Sequence, residues 1–148
     1  VNPARLALAE KVADVVPVNV ANEDLADVIA RLKMKQGFDV GMEMSGNQAA
    51  LDQMVEAMTM GGRIAMLGIP PGKSAVDWSR IVFKAITIKG VYGREIFETW
   101  YKMIAMLENG LDISGVITHR FGADDFEAGF AAMKSGLSGK VVLDWARV

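Results

Sequence analysis

Apolar residues recur along this chain with two different periods. In the segment 25–32, Leu25, Val28, Ile29 and Leu32 follow the i, i+3, i+4, i+7 spacing of one helix face. In the segments 38–44 and 63–69, short apolar runs bounded by glycine or proline are typical of strands. Strands that alternate with helices in this way predict βαβ units, a mostly parallel sheet and an α/β fold.

The first part of the chain carries helix-start signals. Asn2 and Pro3 predict an N-cap and a first helical position, with a helix over about 3–13. The valine-rich run 15–20 predicts a strand, placed near a sheet edge because a proline interrupts it. Asn22 is the predicted N-cap of the next helix.

The middle of the chain repeats the alternation. A strand over 38–44 is followed by a helix that opens at Asn47. The run 63–69 is nearly all apolar, which predicts a central parallel strand covered by helices on both faces. Asp77 then caps a short helix, and 85–91 forms a strand at a sheet edge.

The last third predicts one long helix and a strand–helix–strand segment. A wide apolar face over 95–109 gives the long helix. Extended chain over 116–121, a helix capped by Asp124 and extended chain over 140–145 follow. Several methionines fall at helical spacing, which favours core packing: positions 54, 58, 103, 106 and 133.

Composition narrows the possible functions. The 148 residues contain no cysteine and one histidine, which excludes disulfides, cysteine nucleophiles and any metal site that needs two histidines. A net charge of −2 without a basic run argues against nucleic acid as a partner. The longest uncharged run, 64–72, is too short to span a bilayer, so we expect a soluble cytoplasmic protein. The sequence begins at a helix N-cap signal rather than at a methionine, which predicts that it is a piece of a longer protein.

The loops that follow the predicted strands are the candidate ligand sites. Ligands of open α/β sheets sit beyond the carboxyl ends of the strands, where 45–47, 68–70 and 92–95 contain glycines that let a ligand approach the backbone. The G-x-G-x-x-G phosphate turn is absent from the sequence. The loops therefore predict ligand contacts without the usual phosphate-binding signature.

Single reactive side chains have structural explanations. His119 lies mid-strand and lacks a second histidine, so it is interpreted as structural. Ser45 lies outside a G-x-S-x-G elbow and is interpreted as a loop hydrogen-bond donor. The other carboxylates near loops are Glu43, Glu95 and Asp125, whose spacing alone does not identify an acid/base pair. Arginines 5 and 94 have the geometry to grip a phosphate or a carboxylate, or are simply solvated.

Several segments together resemble the zinc-dependent medium-chain dehydrogenase family. They are 38–46, 61–71 and 89–95, continuing through 97–103, 117–121 and 138–143. Within that family, Tyr92-Gly93-Arg94-Glu95 and Thr118-His119-Arg120 are similar to the members that oxidise L-threonine. The resemblance covers essentially the whole chain.

The resemblance implies an NAD-dependent oxidation of the L-threonine hydroxyl to 2-amino-3-oxobutanoate, with zinc polarising that oxygen. The zinc ligands and proton relay of the family belong to a part that is not in this sequence, so we expect an inactive isolated chain with no catalytic or metal-binding residue. The matching positions are cofactor contacts. Arg5 corresponds to the residue beside the adenosine ribose, Leu67-Gly68-Ile69 to the backbone that meets the nicotinamide carboxamide, and Val91-Tyr92 to its partner segment.

The resemblance also implies a domain organisation. Residues 1–110 would be a partial NAD-binding domain of the Rossmann type, a doubly wound parallel sheet without its first strands and Gly-rich turn, and 111–148 would return to the catalytic domain. The missing strands would leave a gap beside the strand 38–44. We therefore expect 15–20 to pair directly with 38–44, or another chain to fill the gap. The helix near 123–135 and the strand 140–145 would be loosely docked or paired with a neighbour, and the strand near 86–91 would pair with its own copy in a homo-oligomer.

Two other interpretations remain open. One is a related zinc-dependent polyol or alcohol dehydrogenase, because most substrate-pocket residues lie outside this sequence. The other is a non-catalytic module that oligomerises through its edge strand without binding nucleotide, because the phosphate turn is absent.

Overall fold

The computed structural model describes residues 2–146, which form two compact units: Asp24–Ile96, and 2–23 together with 97–146. The α-helices are α1 Pro3–Val12, α2 Leu25–Arg31, α3 Gln48–Ala57, α4 Trp78–Phe83, α5 Glu98–Glu108 and α6 Phe126–Lys134. The strands are β1 Phe38–Glu43, β2 Met58–Met66, β3 Thr87–Gly90, β4 Ile117–Gly122 and β5 Lys140–Asp144. Short 3-10 turns precede β4 at Ser114–Val116 and α6 at Ala123–Asp125.

The unit Asp24–Ile96 is built on a three-stranded parallel sheet in the order β1-β2-β3. Gly41 of β1 lies opposite Ile64 of β2, which lies opposite Ile88 of β3. The central position of the apolar strand and the edge position of β3 confirm the sequence-based predictions. The α/β class and the parallel connection are confirmed with them.

The core of this unit lies on one face of the sheet, under α3 and α4. Its buried members are Leu51, Val55, Met58, Ile64, Ile81 and Ile86. Of the predicted core methionines, Met58 belongs to it and Met54 packs against it. The prediction is wrong for positions 103, 106 and 133, which are about half exposed. On the alternate positions of β1, Val40 and Met42 are exposed. The described residues thus cover one face of the sheet, where helices on both faces were expected.

Three helices begin as their cap residues predict. The side chains of Asn2, Asn47 and Asp77 accept hydrogen bonds from the first backbone N–H groups of α1, α3 and α4. For α2 the prediction of Asn22 is wrong, because a turn occupies Asn19–Glu23, with Asn22 N–H bonded to the Asn19 carbonyl at 2.8 Å. Asp24 is the cap instead, and its carboxylate accepts from Ala26 N–H.

The predicted strand over 15–20 is wrong. Residues 15–19 have no regular secondary structure, and β1 is an edge strand with β2 as its neighbour in the sheet. Pro17 cannot donate a ladder hydrogen bond, and Val15 and Val16 are half-exposed, so little burial rewards strand pairing here. Direct pairing of 15–20 with 38–44 is therefore also wrong, and filling of that gap by another chain stays a prediction.

In the other unit, β4, α6 and β5 form a strand–helix–strand segment with the two strands parallel. Gly129 of α6 faces Leu143, Phe121 and Val141, and α1 packs beside the turn Ser114–Val116. The segment 140–145 was expected to be loosely docked or paired with a neighbour, but it pairs with β4 of the same chain.

Two helices of this unit differ in detail from the predictions. The cap predicted at Asp124 is wrong, because Asp124 lies inside the 3-10 turn and α6 begins after it without a side-chain cap. The long helix α5 is confirmed as Glu98–Glu108, but none of its residues is buried. Its apolar face is therefore largely exposed on this chain.

Candidate functional site

The carboxyl ends of the three parallel strands bring three loops to one edge of the sheet. The N–H groups of Leu67 and Gly68, which follow β2, donate to the Glu43 carbonyl oxygen at 2.8 and 3.0 Å. Val91, which follows β3, donates its N–H to the Met66 carbonyl oxygen at 2.9 Å. Backbone hydrogen bonds therefore fix the loop after β2 to the end of β1, and the end of β2 to the loop after β3.

A buried carboxylate organises this edge. Glu43, the last residue of β1, is 2% exposed. Its Oε1 accepts from the N–H of Ser45 at 2.8 Å and from the Ser45 hydroxyl, and Gly46 N–H lies 3.1 Å from Oε1 and 3.0 Å from Oε2. The prediction of Ser45 as a loop hydrogen-bond donor is confirmed.

The hydrogen bonds keep this carboxylate ionised. The Ser45 hydroxyl has the largest effect and lowers the pKa of Glu43 below its ordinary value of 4.5, and the N–H groups of Gly46, Ser45 and Asn47 lower it further. Burial acts in the opposite direction but does not cancel them. Glu43 is therefore an anchored anion at neutral pH, which makes it unsuited to proton transfer.

Two glycines allow the loops to come this close. A Cβ on Gly68 would lie 2.1 Å from Glu43 Oε2 and 2.2 Å from the Gly46 nitrogen. A Cβ on Gly46, whose φ is +69°, would lie 2.4 Å from the Ile69 carbonyl oxygen. Both positions require glycine, for steric reasons at Gly68 and for steric and conformational reasons at Gly46.

Five of the six predicted cofactor contacts lie together at this edge: Leu67, Gly68, Ile69, Val91 and Tyr92. Ile69 is 81% exposed and Tyr92 is 96% exposed, so both present apolar surface beyond the strand ends. Arg5 belongs to the other compact unit. There it lines a cavity of about 240 Å³ together with Lys11, Thr118 and Ser138.

No zinc site can be assigned to the described part of the chain. Residues 2–146 contain no group of three or more His, Cys, Asp or Glu side chains that could hold a metal ion. The single histidine, His119, lies 2.8 Å from the Thr118 hydroxyl through Nδ1 and stacks on Phe121. These contacts agree with the structural interpretation of His119. Within the same residues, no helix is long and apolar enough to cross a membrane.

Glu43 is the residue whose importance the sequence analysis missed. The sequence places it among several carboxylates near loops and within the segment 38–46 of the family resemblance, and assigns it no role. The available signal was its position at a strand end, two and three residues before Ser45 and Gly46, where a carboxylate can accept the N–H groups of the following turn.

Comparison with known proteins defines the class of this chain. The sequence profile of the family described as zinc-binding dehydrogenase matches residues 1–109, which is most of the chain. The chain therefore belongs to the zinc-binding dehydrogenase family.

Relatives within this class have more specific names. L-threonine 3-dehydrogenase of Ruegeria pomeroyi is 75% identical over 149 aligned residues, which cover 98% of this chain and 43% of that protein. L-threonine 3-dehydrogenase of Burkholderia multivorans is 60% identical over 145 aligned residues, again 98% of this chain and 42% of that protein. The chain thus spans less than half the length of these relatives.

Solved structures of low identity share the fold. 2R,3R-butanediol dehydrogenase from Bacillus subtilis superimposes with a TM-score of 0.82 at 24% identity, over 95% of this chain and 41% of that one. An alcohol dehydrogenase from Thermotoga maritima gives the same TM-score and identity, over 95% of this chain and 40% of that one. Both comparisons show that the chain shares its fold with these structures.

Proposed function

We propose that this chain is the cofactor-side part of an NAD-dependent, zinc-dependent oxidoreductase that converts L-threonine to 2-amino-3-oxobutanoate. The names of relatives at 60 to 75% identity support the substrate, and the family match supports the chemistry. The structural observation that carries the proposal is the clustering of Leu67–Ile69 with Val91 and Tyr92 beyond the strand ends, where open α/β sheets bind ligands.

In this proposal the chain's own residues bind and orient NAD and take no part in proton transfer. The backbone of Leu67, Gly68 and Ile69 and the segment Val91-Tyr92 meet the nicotinamide end, and Arg5 lies beside the adenosine ribose. The catalytic zinc and the Gly-rich turn would come from the rest of the protein. The proposed division into a cofactor domain over 1–110 and a returning segment over 111–148 is supported by the end of the family match at residue 109. The compact units of the structure follow other bounds, since 2–23 and 97–146 belong to one unit and Asp24–Ile96 to the other.

An NADH fluorescence titration of the 148-residue chain tests the cofactor role directly. We expect saturable binding that is weak, since the Gly-rich turn that usually holds the pyrophosphate is absent from the sequence. The test variant is Tyr92→Ala, which alters an exposed side chain at the site and should weaken NADH binding without changing thermal stability. Identical binding curves for wild type and Tyr92→Ala would contradict the assigned position of the nicotinamide.

A chimera tests the substrate. The matching segment of the Ruegeria pomeroyi relative is replaced by residues 1–148, and NAD reduction is followed with L-threonine or with 2,3-butanediol. We expect turnover of L-threonine well above that of the diol. A folded chimera that reduces NAD with the diol but not with L-threonine would favour a polyol or alcohol dehydrogenase.

A second candidate is a non-catalytic module that self-associates through β3. The observation that favours it is the position of β3 at the sheet edge, with exposed Thr87 and Lys89. Light scattering during size-exclusion chromatography distinguishes the two. A dimer that Lys89→Pro converts to monomer, together with no NADH binding by the wild type, would support the module.

A further inference from the structure

We infer that Glu43 is a positioning residue, whose carboxylate sets the backbone of the Leu67–Ile69 loop that meets the nicotinamide end of the cofactor. The inference rests on the proposed function for the identity of the ligand. It rests on the contacts of Glu43 for the role of the side chain.

Glu43 contacts the loop after β1 and the loop after β2 at the same time. Its backbone carbonyl oxygen holds the N–H groups of Leu67 and Gly68. Its side chain turns back to the loop after β1 and accepts from Ser45 and Gly46. One residue therefore links the loop after β1 to the loop after β2.

The carboxylate of Glu43 also contacts the loop after β2. The position that a Cβ of Gly68 would take lies 2.1 Å from Oε2, so this oxygen packs against the Gly68 backbone. Gly46, which the carboxylate holds, lies in turn against the Ile69 carbonyl oxygen. A displacement of the carboxylate therefore shifts Gly68 directly and Ile69 through Gly46.

Position 43 requires a carboxylate. The side chain accepts from the backbone N–H groups of Ser45 and Gly46 and from the Ser45 hydroxyl, and the Asn47 N–H also stabilises its charge. An ionised carboxylate only accepts, whereas an amide of the same shape would place its own N–H group against one of these donors. Glu43→Gln thus keeps the volume of the side chain but breaks the arrangement.

The experiment combines amide hydrogen exchange with NADH titration on the 148-residue chain. The variants are Glu43→Gln and Ser45→Ala, and the matched control is Glu10→Gln, which makes the same chemical change on the exposed side of α1. Ser45 is exposed, so Ser45→Ala removes one donor without opening the core and serves if Glu43→Gln does not fold.

We expect faster exchange at Leu67 and Gly68 in both variants, and about tenfold weaker NADH binding for Glu43→Gln, with a smaller change for Ser45→Ala. Glu10→Gln should behave as the wild type in both measurements. The readout at Leu67 and Gly68 is specific, because their N–H groups bond to the backbone of residue 43 and not to its carboxylate.

Faster exchange confined to Ser45 and Gly46 would overturn the inference, because the carboxylate would then organise only its own turn. Unchanged NADH affinity in a Glu43→Gln chain with faster exchange at Leu67 would overturn the link to the cofactor. A wild-type chain that binds no NADH would count against the proposed function instead, and the exchange data would still decide whether Glu43 positions the loop.

Discussion

Gly68 lies directly against the carboxylate of Glu43, so closely that the two loops at this edge of the sheet leave no space for a side chain at position 68. The contact joins a charged group that is almost completely buried to the backbone that we propose for cofactor binding. Packing at this edge is therefore as demanding as in the apolar core, although its partners are polar.

Gly68→Ala is predicted to destabilise the chain by about 1 to 3 kcal/mol, because the new methyl group must displace either the Glu43 carboxylate or the Gly46 backbone. Urea unfolding followed by circular dichroism measures the change. Gly72→Ala is the matched control, since a Cβ there meets nothing within 4 Å. Equal effects of the two substitutions would show that the edge tolerates a methyl group.

Glu43 predicts a stability change at acid pH. Its pKa is lowered in the folded chain, so its contribution to stability is present above the ordinary value of 4.5 and is lost as the pH falls through the lower folded value. The difference in unfolding free energy between wild type and Glu43→Gln should therefore shrink as the pH is lowered below about 4.5. Chemical unfolding at pH 7 and at pH 3.5 tests this, and a constant difference would mean that the carboxylate is not favoured by its neighbours.

Lys84→Met is predicted to destabilise the C-terminal end of α3. The Lys84 ammonium group donates to the carbonyl oxygens of Val55, Glu56 and Met58 at 3.1, 2.5 and 3.1 Å. These carbonyls end a helix and carry its negative partial charge, so we expect a loss of about 1 to 3 kcal/mol. Lys73→Met, on an exposed loop, should change the melting temperature little. Comparable losses for both lysines would indicate a general charge effect.

Ile64→Ala is predicted to cost about 2 to 5 kcal/mol, because Ile64 is 1% exposed in the central strand β2. Ile69→Ala removes the same atoms from an exposed side chain and should change the unfolding free energy by about 0.5 kcal/mol or less. Denaturant unfolding of the two variants compares them directly. If Ile69→Ala were as costly as Ile64→Ala, the loop after β2 would have to be packed in solution.

The sequence predicted the parts of the fold that depend on local patterns. The caps at Asn2, Asn47 and Asp77 and the central strand β2 are encoded within a few residues. The bounds of β2 were wrong, because the strand covers Met58–Met66 rather than 63–69. The valine-rich run 15–20 failed for the opposite reason. Strand formation needs a partner, and β-branched residues alone do not supply one.

The candidate site was predictable as a location but not as an arrangement. Loops after parallel strands meet at one edge, which the alternation of elements already implies. The inward turn of the Glu43 side chain depends on the three-dimensional approach of Gly46 and Gly68, which lie 22 residues apart in the sequence. The local pattern indicates only that Glu43 can accept from the turn after β1, and it does not indicate that Gly68 packs against the carboxylate.

The side chain of Asn2 donates to the carbonyl oxygen of Gly136 at 2.8 Å, across 134 positions of sequence. The unit to which both residues belong is therefore closed by contacts between distant parts of the chain, whereas Asp24–Ile96 is continuous. During synthesis, the continuous unit can complete its sheet before the segment 114–139, which contains the contacts of α1, has left the ribosome. Within these residues, α1 is therefore synthesised before the continuous unit but is among the last elements to find its place.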